Sequence, residues 1–153
     1  MDETAFPPAD LEAFLQLCAG RWMSLRSRFD LKGAEDEWHA SDRGEVTVKT
    51  ALQDSAWTLT VEAADGASSE LLFAANGELM LRSQASQRQG AWQFRSDASV
   101  ELEVMEGDTR VLERIWFIKP NLRLRSTTAT AAEGTPVQAR FCSEIRRVSP
   151  PQP

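Results

Sequence analysis

The chain has one histidine, two cysteines and no tyrosine in 153 residues. With His39 the sole imidazole, a histidine-based triad or metal site would have to be assembled around it. Its place between Trp38 and Ala40, beside a turn, reads instead as a surface or rim position. No C-x-x-C pair, H-E-x-x-H run or glycine-rich phosphate loop occurs, so zinc, haem attachment and nucleotide binding have no motif behind them. No apolar run approaches the ~20 residues of a membrane helix. The start, Met1-Asp2-Glu3-Thr4, is acidic and lacks the basic residues and apolar stretch of a secretory signal, so a cytoplasmic location is expected. Cys18 and Cys142 are then expected as reduced, partly buried thiols rather than a disulfide. Positive charge is also in short supply: 17 Lys and Arg against 23 Asp and Glu leave a net charge of −6. That excludes a broad basic surface for nucleic acid.

Hydrophobic residues make up 42% and charged residues 26%, the proportions of a folded globular chain. Residues 1–148 read as a single domain, and Ser149-Pro150-Pro151-Gln152-Pro153 as a disordered Pro-rich end. After Pro7-Pro8, Asp10 stands at a helix N-cap. Leu11, Phe14, Leu15 and Cys18 then recur at helical spacing until Gly20, which predicts one short amphipathic helix over Leu11–Ala19. Beyond Gly20 the pattern changes to short strands, near 21–31, 36–40, 44–51, 55–63, 68–75, 78–84, 91–96, 99–106, 109–118, 121–130 and 137–147. Turn residues separate them, among them Lys32-Gly33, Ser41-Asp42, Asn76-Gly77 and Gln89-Gly90. Asn76-Gly77 is the strongest hairpin signal and suits a type I′ turn. One helix followed by many strands with short connections predicts an antiparallel up-and-down β-barrel or a sandwich, mainly β. A barrel of eight or more strands can enclose a small ligand.

Several strands place charge where a core would be expected. In Asn121-Leu122-Arg123-Leu124-Arg125-Ser126, the period of two puts both arginines on one face and both leucines on the other. Either the leucines point inward and the arginines into solvent, or the arginines point inward and must be paired or bind an anion. Two guanidiniums on one inner face would suit a ligand with two carboxylates. Glu113 shares a face with Ile115 and Phe117, and Arg114 with Trp116. Cys142, Glu144 and Arg146 share a face, as do Trp22, Ser24, Arg26 and Arg28. Five tryptophans (22, 38, 57, 92 and 116) suit a core and also a flat conjugated ligand.

Three blocks carry a resemblance. Gly20-Arg21-Trp22-Met23-Ser24-Leu25-Arg26-Ser27 resembles the G-x-W-x-S-x-R motif that follows the N-terminal helix of the S-type phycobiliprotein lyases, the CpcS/CpeS group with its related U-type partner subunits. Glu113-Arg114-Ile115-Trp116-Phe117 with Asn121-Leu122-Arg123-Leu124-Arg125 is similar to that family's E-R-x-W-F and N-L-R-L-R block. Phe141-Cys142-Ser143-Glu144-Ile145-Arg146 is similar to its closing block. The resemblance implies a lipocalin-like barrel of about ten strands with an N-terminal helix. It also implies transfer of a linear tetrapyrrole (phycoerythrobilin or phycocyanobilin) to a cysteine of an apo phycobiliprotein α or β subunit, in a cyanobacterial or phage-infected cell or a plastid. No cofactor is implied as permanently bound, the bilin being substrate, and no metal. Glu113 and Glu144 are implied as the catalytic carboxylates that accept from pyrrole N–H groups. Arg26, Arg123 and Arg125 are implied to hold propionates, and Trp22, Ser24 and Trp116 to line the bilin site. A homodimer, or a heterodimer with a related subunit, fits the family. The other readings are a non-catalytic bilin-binding subunit of such a heterodimer and a lipocalin-like fatty-acid carrier.

Overall fold

A computed structural model describes residues 5–31 and 38–148. One helix, α1 (Leu11–Cys18), precedes ten strands: β1 (Gly20–Asp30), β2 (His39–Gln53), β3 (Ala56–Ala63), β4 (Ser68–Phe73), β5 (Glu78–Ser83), β6 (Gln87–Phe94), β7 (Val100–Glu106), β8 (Thr109–Lys119), β9 (Leu122–Thr130) and β10 (Pro136–Arg146). Each strand pairs antiparallel with the next, and β10 closes on β1, giving a closed up-and-down barrel. Closure leaves no sheet edge exposed to solvent.

The helix forms where the spacing predicts it. The Asp10 side chain accepts from the Ala13 amide at 2.8 Å, satisfying an orphan donor of the first turn. Phe14, Leu15 and Cys18 are buried and plug one end of the barrel. Phe14 packs edge-on against Phe117 and Phe94, with ring centroids 5.1 and 6.3 Å apart. The helix ends under Arg146, which reaches from β10 to donate to Leu17 O and Ala19 O at 2.6 Å each. Gly20 follows with φ +141, and a Cβ there would lie 2.6 Å from the Arg146 guanidinium. Only glycine combines that conformation with that approach.

Two strand breaks and one turn type expected from the sequence change. Ser41-Asp42 is not a break: β2 runs through it, because Ser27 and Arg26 of β1 pair with Ser41 and Asp42 in unbroken register. Residues 36 and 37 of the predicted 36–40 segment lie outside the described residues, as do Lys32-Gly33 and the tail from 149 on. Gln89-Gly90 is not a break either. Gly90 sits mid-strand in β6, where a Cβ would fall 2.0 Å from Glu103 O of β7, so close backbone approach accounts for the glycine. At Asn76-Gly77 the hairpin forms, but only Gly77 has positive φ (+91). The Asn76 side chain instead accepts from the Glu78 amide at 3.0 Å, within a longer loop closed by the Ala74–Glu78 backbone bond.

Inside the barrel, Val46, Val48, Leu59, Phe73, Leu79, Val100, Leu102 and Val104 form a continuous apolar lining across β2–β7. Glycine, serine and charged residues take the corresponding inner positions near the open end and along β1, β10 and β9.

Candidate functional site: a charged barrel interior

The register fixes which residues meet. One inner row runs Gly44–Ser24–Glu144–Arg123–Phe117 across β2, β1, β10, β9 and β8. The next, nearer the open end, runs Asp42–Arg26–Cys142–Arg125–Ile115. A third, at the rim, runs Arg28–Arg140–Thr127–Glu113. The alternative left open by the sequence is thereby resolved: Arg123 and Arg125 point into the barrel, and Leu122 and Leu124 lie on its outer face.

Arg123 and Glu144 form the deepest ion pair, 3% and 0% exposed, with Arg123 Nε donating to Glu144 Oε1 at 2.9 Å. Arg125 Nε donates to the same oxygen at 3.0 Å. One carboxylate therefore serves two guanidiniums, and its second oxygen takes a longer contact of 3.4 Å from Arg125 Nη2. Burial alone would push the Glu144 carboxyl up. The two arginines outweigh it and hold Glu144 below the usual carboxylate range. The Ser24 hydroxyl is completely buried beside Glu144 but makes no hydrogen bond of good geometry. Burial opposes the charge of Arg125, yet Glu113 and Glu144 raise its pKa above the ordinary arginine value. Glu113 accepts from Thr127 Oγ1 at 2.9 Å and lies 3.7 Å from Arg125 Nη1.

Beneath this network, the Trp22 ring takes cation–π contacts from two guanidiniums. The Arg146 and Arg123 carbons lie 4.2 and 5.2 Å from its centroid. Its indole N–H donates to Cys18 O at 2.9 Å, which ties the floor of the site to α1. Cys18 and Cys142 are both free and buried, and burial pushes both thiols up in pKa. Neither is poised as a nucleophile.

Above the network a cavity of about 500 Å³ opens to solvent, lined by Arg26, Arg125, Glu113, Thr127 and Cys142 and rimmed by Arg28 and Arg140. This is within the range of small-molecule sites, ~300–1,000 Å³. Arg26 reaches it with its guanidinium paired to Asp42 at 2.9 Å. Gly44 makes room for it, since a Cβ there would lie 2.9 Å from the Arg26 side chain.

Seven of the eight residues implied by the resemblance thus sit on the inner face: Trp22, Ser24, Arg26, Glu113, Arg123, Arg125 and Glu144. Trp116 does not, and its expected place in the bilin site is corrected. Its register partner is the outward Leu124, and its ring lies under the Arg114 guanidinium at 4.8 Å on the outer surface. Strand parity gives the inner place to Phe117, whose ring is 6.2 Å from that of Trp22. The sequence reading also missed Thr127, Asp42 and Gly44. Thr127 was detectable from parity, as it follows Arg123 and Arg125 at the same spacing of two. His39 is exposed at the rim, stacked on Phe29 at 4.9 Å, as its sequence position suggested.

The description "CpeS-like protein" belongs to the family model that matches residues 73–147, a stretch that contains the β8–β10 site residues. A chromophore lyase CpcS/CpeS 1 of Paulinella chromatophora is 41% identical over 149 residues, 95% of this chain and 93% of that protein. The chain belongs to the CpcS/CpeS chromophore lyase family. A second member of this family, from Synechocystis sp., is 39% identical over 61 residues, 40% of this chain and 32% of its own length. Among solved structures, the S-type phycobiliprotein lyase CPES from Guillardia theta shares the fold. Its TM-score is 0.71 and its identity 21%, covering 92% of this chain and 94% of that one. The lipocalin-like barrel implied by the three sequence blocks is therefore the fold. No described helix is long and apolar enough to cross a membrane.

Proposed function

We infer that this chain is a bilin lyase: it binds a linear tetrapyrrole in the open cavity and attaches it through a thioether to a cysteine of an apo phycobiliprotein subunit. The observation that carries this reading is a barrel interior in which Arg123 and Arg125 share the buried Glu144 carboxylate beneath an open cavity, in a chain 41% identical to a chromophore lyase. A fatty-acid carrier would bury its ligand in apolar surface, whereas the open cavity here is lined by arginine and carboxylate.

The acceptor supplies the nucleophile. Its thiol adds across an exocyclic double bond of the bilin: the S–C bond forms, the C=C π bond breaks, and the thiol proton ends on the neighbouring carbon with no leaving group. The lyase needs only to hold the bilin in a reactive shape and charge state, limit water and leave one face open. Of the two glutamates implied by the resemblance, Glu113 is the one that lines the cavity, so it is the group to accept from pyrrole N–H and favour the protonated, more electrophilic bilin. Glu144 has no access to the cavity; it acts as a positioning residue that sets Arg125. Phycoerythrobilin and phycocyanobilin both suit these contacts.

The test is co-expression with a bilin-synthesising pathway and individual apo phycobiliprotein α and β subunits, followed by denaturing gels stained for zinc-dependent bilin fluorescence. A denaturant-stable adduct on one subunit is expected, and Glu113→Gln should reduce it at least about tenfold while the protein stays folded. A folded wild-type protein that yields neither adduct nor coloured complex would overturn the reading. A coloured complex without adduct would replace it with the non-catalytic partner subunit.

A further inference from the structure

The arginines that line the cavity differ in what they already hold. Arg125 is committed to Glu144 and Glu113, and Arg26 to Asp42. Deeper, Arg123 is committed to Glu144. Arg123 is 3% exposed and is not among the residues lining the cavity, so a ligand carboxylate held there does not reach it. Arg28 and Arg140 are different. They face each other directly in the β1–β10 register, and both line the mouth of the cavity. Among the described residues neither is paired with a carboxylate; Arg140 has only the amide oxygen of Gln138, at 3.2 Å. Like charges directly opposite on adjacent strands repel. The carboxylates that line the same cavity are engaged elsewhere. Asp42 pairs with Arg26, Glu113 with Thr127 and Arg125, and Asp65 accepts from the Ala67 amide at 2.9 Å.

We propose that Arg28 and Arg140 form a carboxylate clamp at the mouth of the barrel that takes the two propionates of the bilin. The clamp rests on the tetrapyrrole reading above and places the propionates at the rim, not at Arg123 and Arg125. Cross-strand neighbours have Cβ atoms about 5 Å apart, and two arginine side chains from such positions can each meet one of two carboxylates on adjacent rings. The bilin then enters with its propionates outermost, its pyrrole nitrogens toward Glu113 and its conjugated body toward Ile115.

Free and esterified bilins separate the possibilities. Binding of phycocyanobilin and of its dimethyl ester is titrated by absorbance for the wild-type protein and for Arg28→Gln, Arg140→Gln and the double variant. Both residues are exposed, so folding should persist, and melting curves check this. Wild type should prefer the diacid by roughly ten- to a hundredfold. The double variant should lose that preference by weakening on the diacid alone, with ester affinity unchanged, and each single variant should lose part of it. A double variant that keeps the preference, or that weakens equally on diacid and ester, overturns the clamp. A wild type that binds both forms equally overturns the clamp and leaves the tetrapyrrole reading standing; one that binds neither overturns both.

Discussion

The two sides of the barrel are built from the same strand geometry on opposite principles. Across β2–β7 the buried inner side chains are Val, Leu and Phe, with Leu59, Phe73 and Leu79 each under 4% exposed. Stability there comes from area removed from water, ~25 cal/mol per Å², without demands on direction. Across β1, β10, β9 and the open end of β8, the inner face is Ser24, Arg26, Cys142, Glu144, Arg123, Arg125 and Glu113. Stability there depends on donors and acceptors that match in angle and number. Buried charge is weak as a source of stability. Its presence on one side only marks that side as the one shaped for a ligand, and the apolar side as the frame that holds it.

The sharpest way to break this comparison is to remove one member of the charged cluster. Glu144→Ala leaves Arg123 buried and Arg125 half-buried without their shared carboxylate. The loss should be about 4 kcal/mol in urea unfolding, and bilin binding should disappear with it. An apolar truncation, Leu79→Ala, should cost about 3 kcal/mol from lost transfer energy and cavity formation. It should leave bilin affinity within about twofold in whatever fraction is folded, since nothing near the cavity moves. If Leu79→Ala abolished binding in a folded protein, the division into frame and site would fail.

A smaller effect concerns acid. The folded-state pKa of Glu144 lies below its unfolded value of ~4.3, so its contribution is fully present above that value. It is lost as pH falls through the folded pKa, because the unfolded chain takes up the proton first. Stability measured from pH 7 downward should therefore fall below about pH 5 with a slope of up to ~1.4 kcal/mol per pH unit from this group. Leu79→Ala should keep the wild-type slope and Glu144→Ala should be shallower. Equal slopes in all three proteins would show that Glu144 is not the charge that matters.

Much of the fold was legible because it depends on local chemistry. Asp10 caps a helix wherever that helix packs, and a strand alternates whether or not its partner is known. The two misplaced breaks had local signals of the right kind, Ser41-Asp42 and Gln89-Gly90, overridden by neighbouring strands that kept their register through them. Most of the site was legible as a set of residues; Thr127, Asp42 and Gly44 were missed, and one aromatic was misplaced. In Trp116-Phe117 either aromatic could have been the inner one, and the inward Ile115 and Phe117 in register with Arg125 and Arg123 decided it.

What the sequence determined by itself was therefore the alternation, the turns, the helix and the sharing of faces. Arg123 was bound to lie with Arg125, and Glu113 with Ile115 and Phe117. Which face turned inward was decided by tertiary structure alone. Arginine or leucine can each be the inner residue of such a strand, and the balance depends on whether a counter-charge waits inside. Here it waits on β10: Glu144, 21 and 19 residues away in sequence, arrives beside Arg123 and Arg125 only when the barrel closes. Burying those guanidiniums without it would be prohibitive, and with it the same strand can turn its charges toward a ligand.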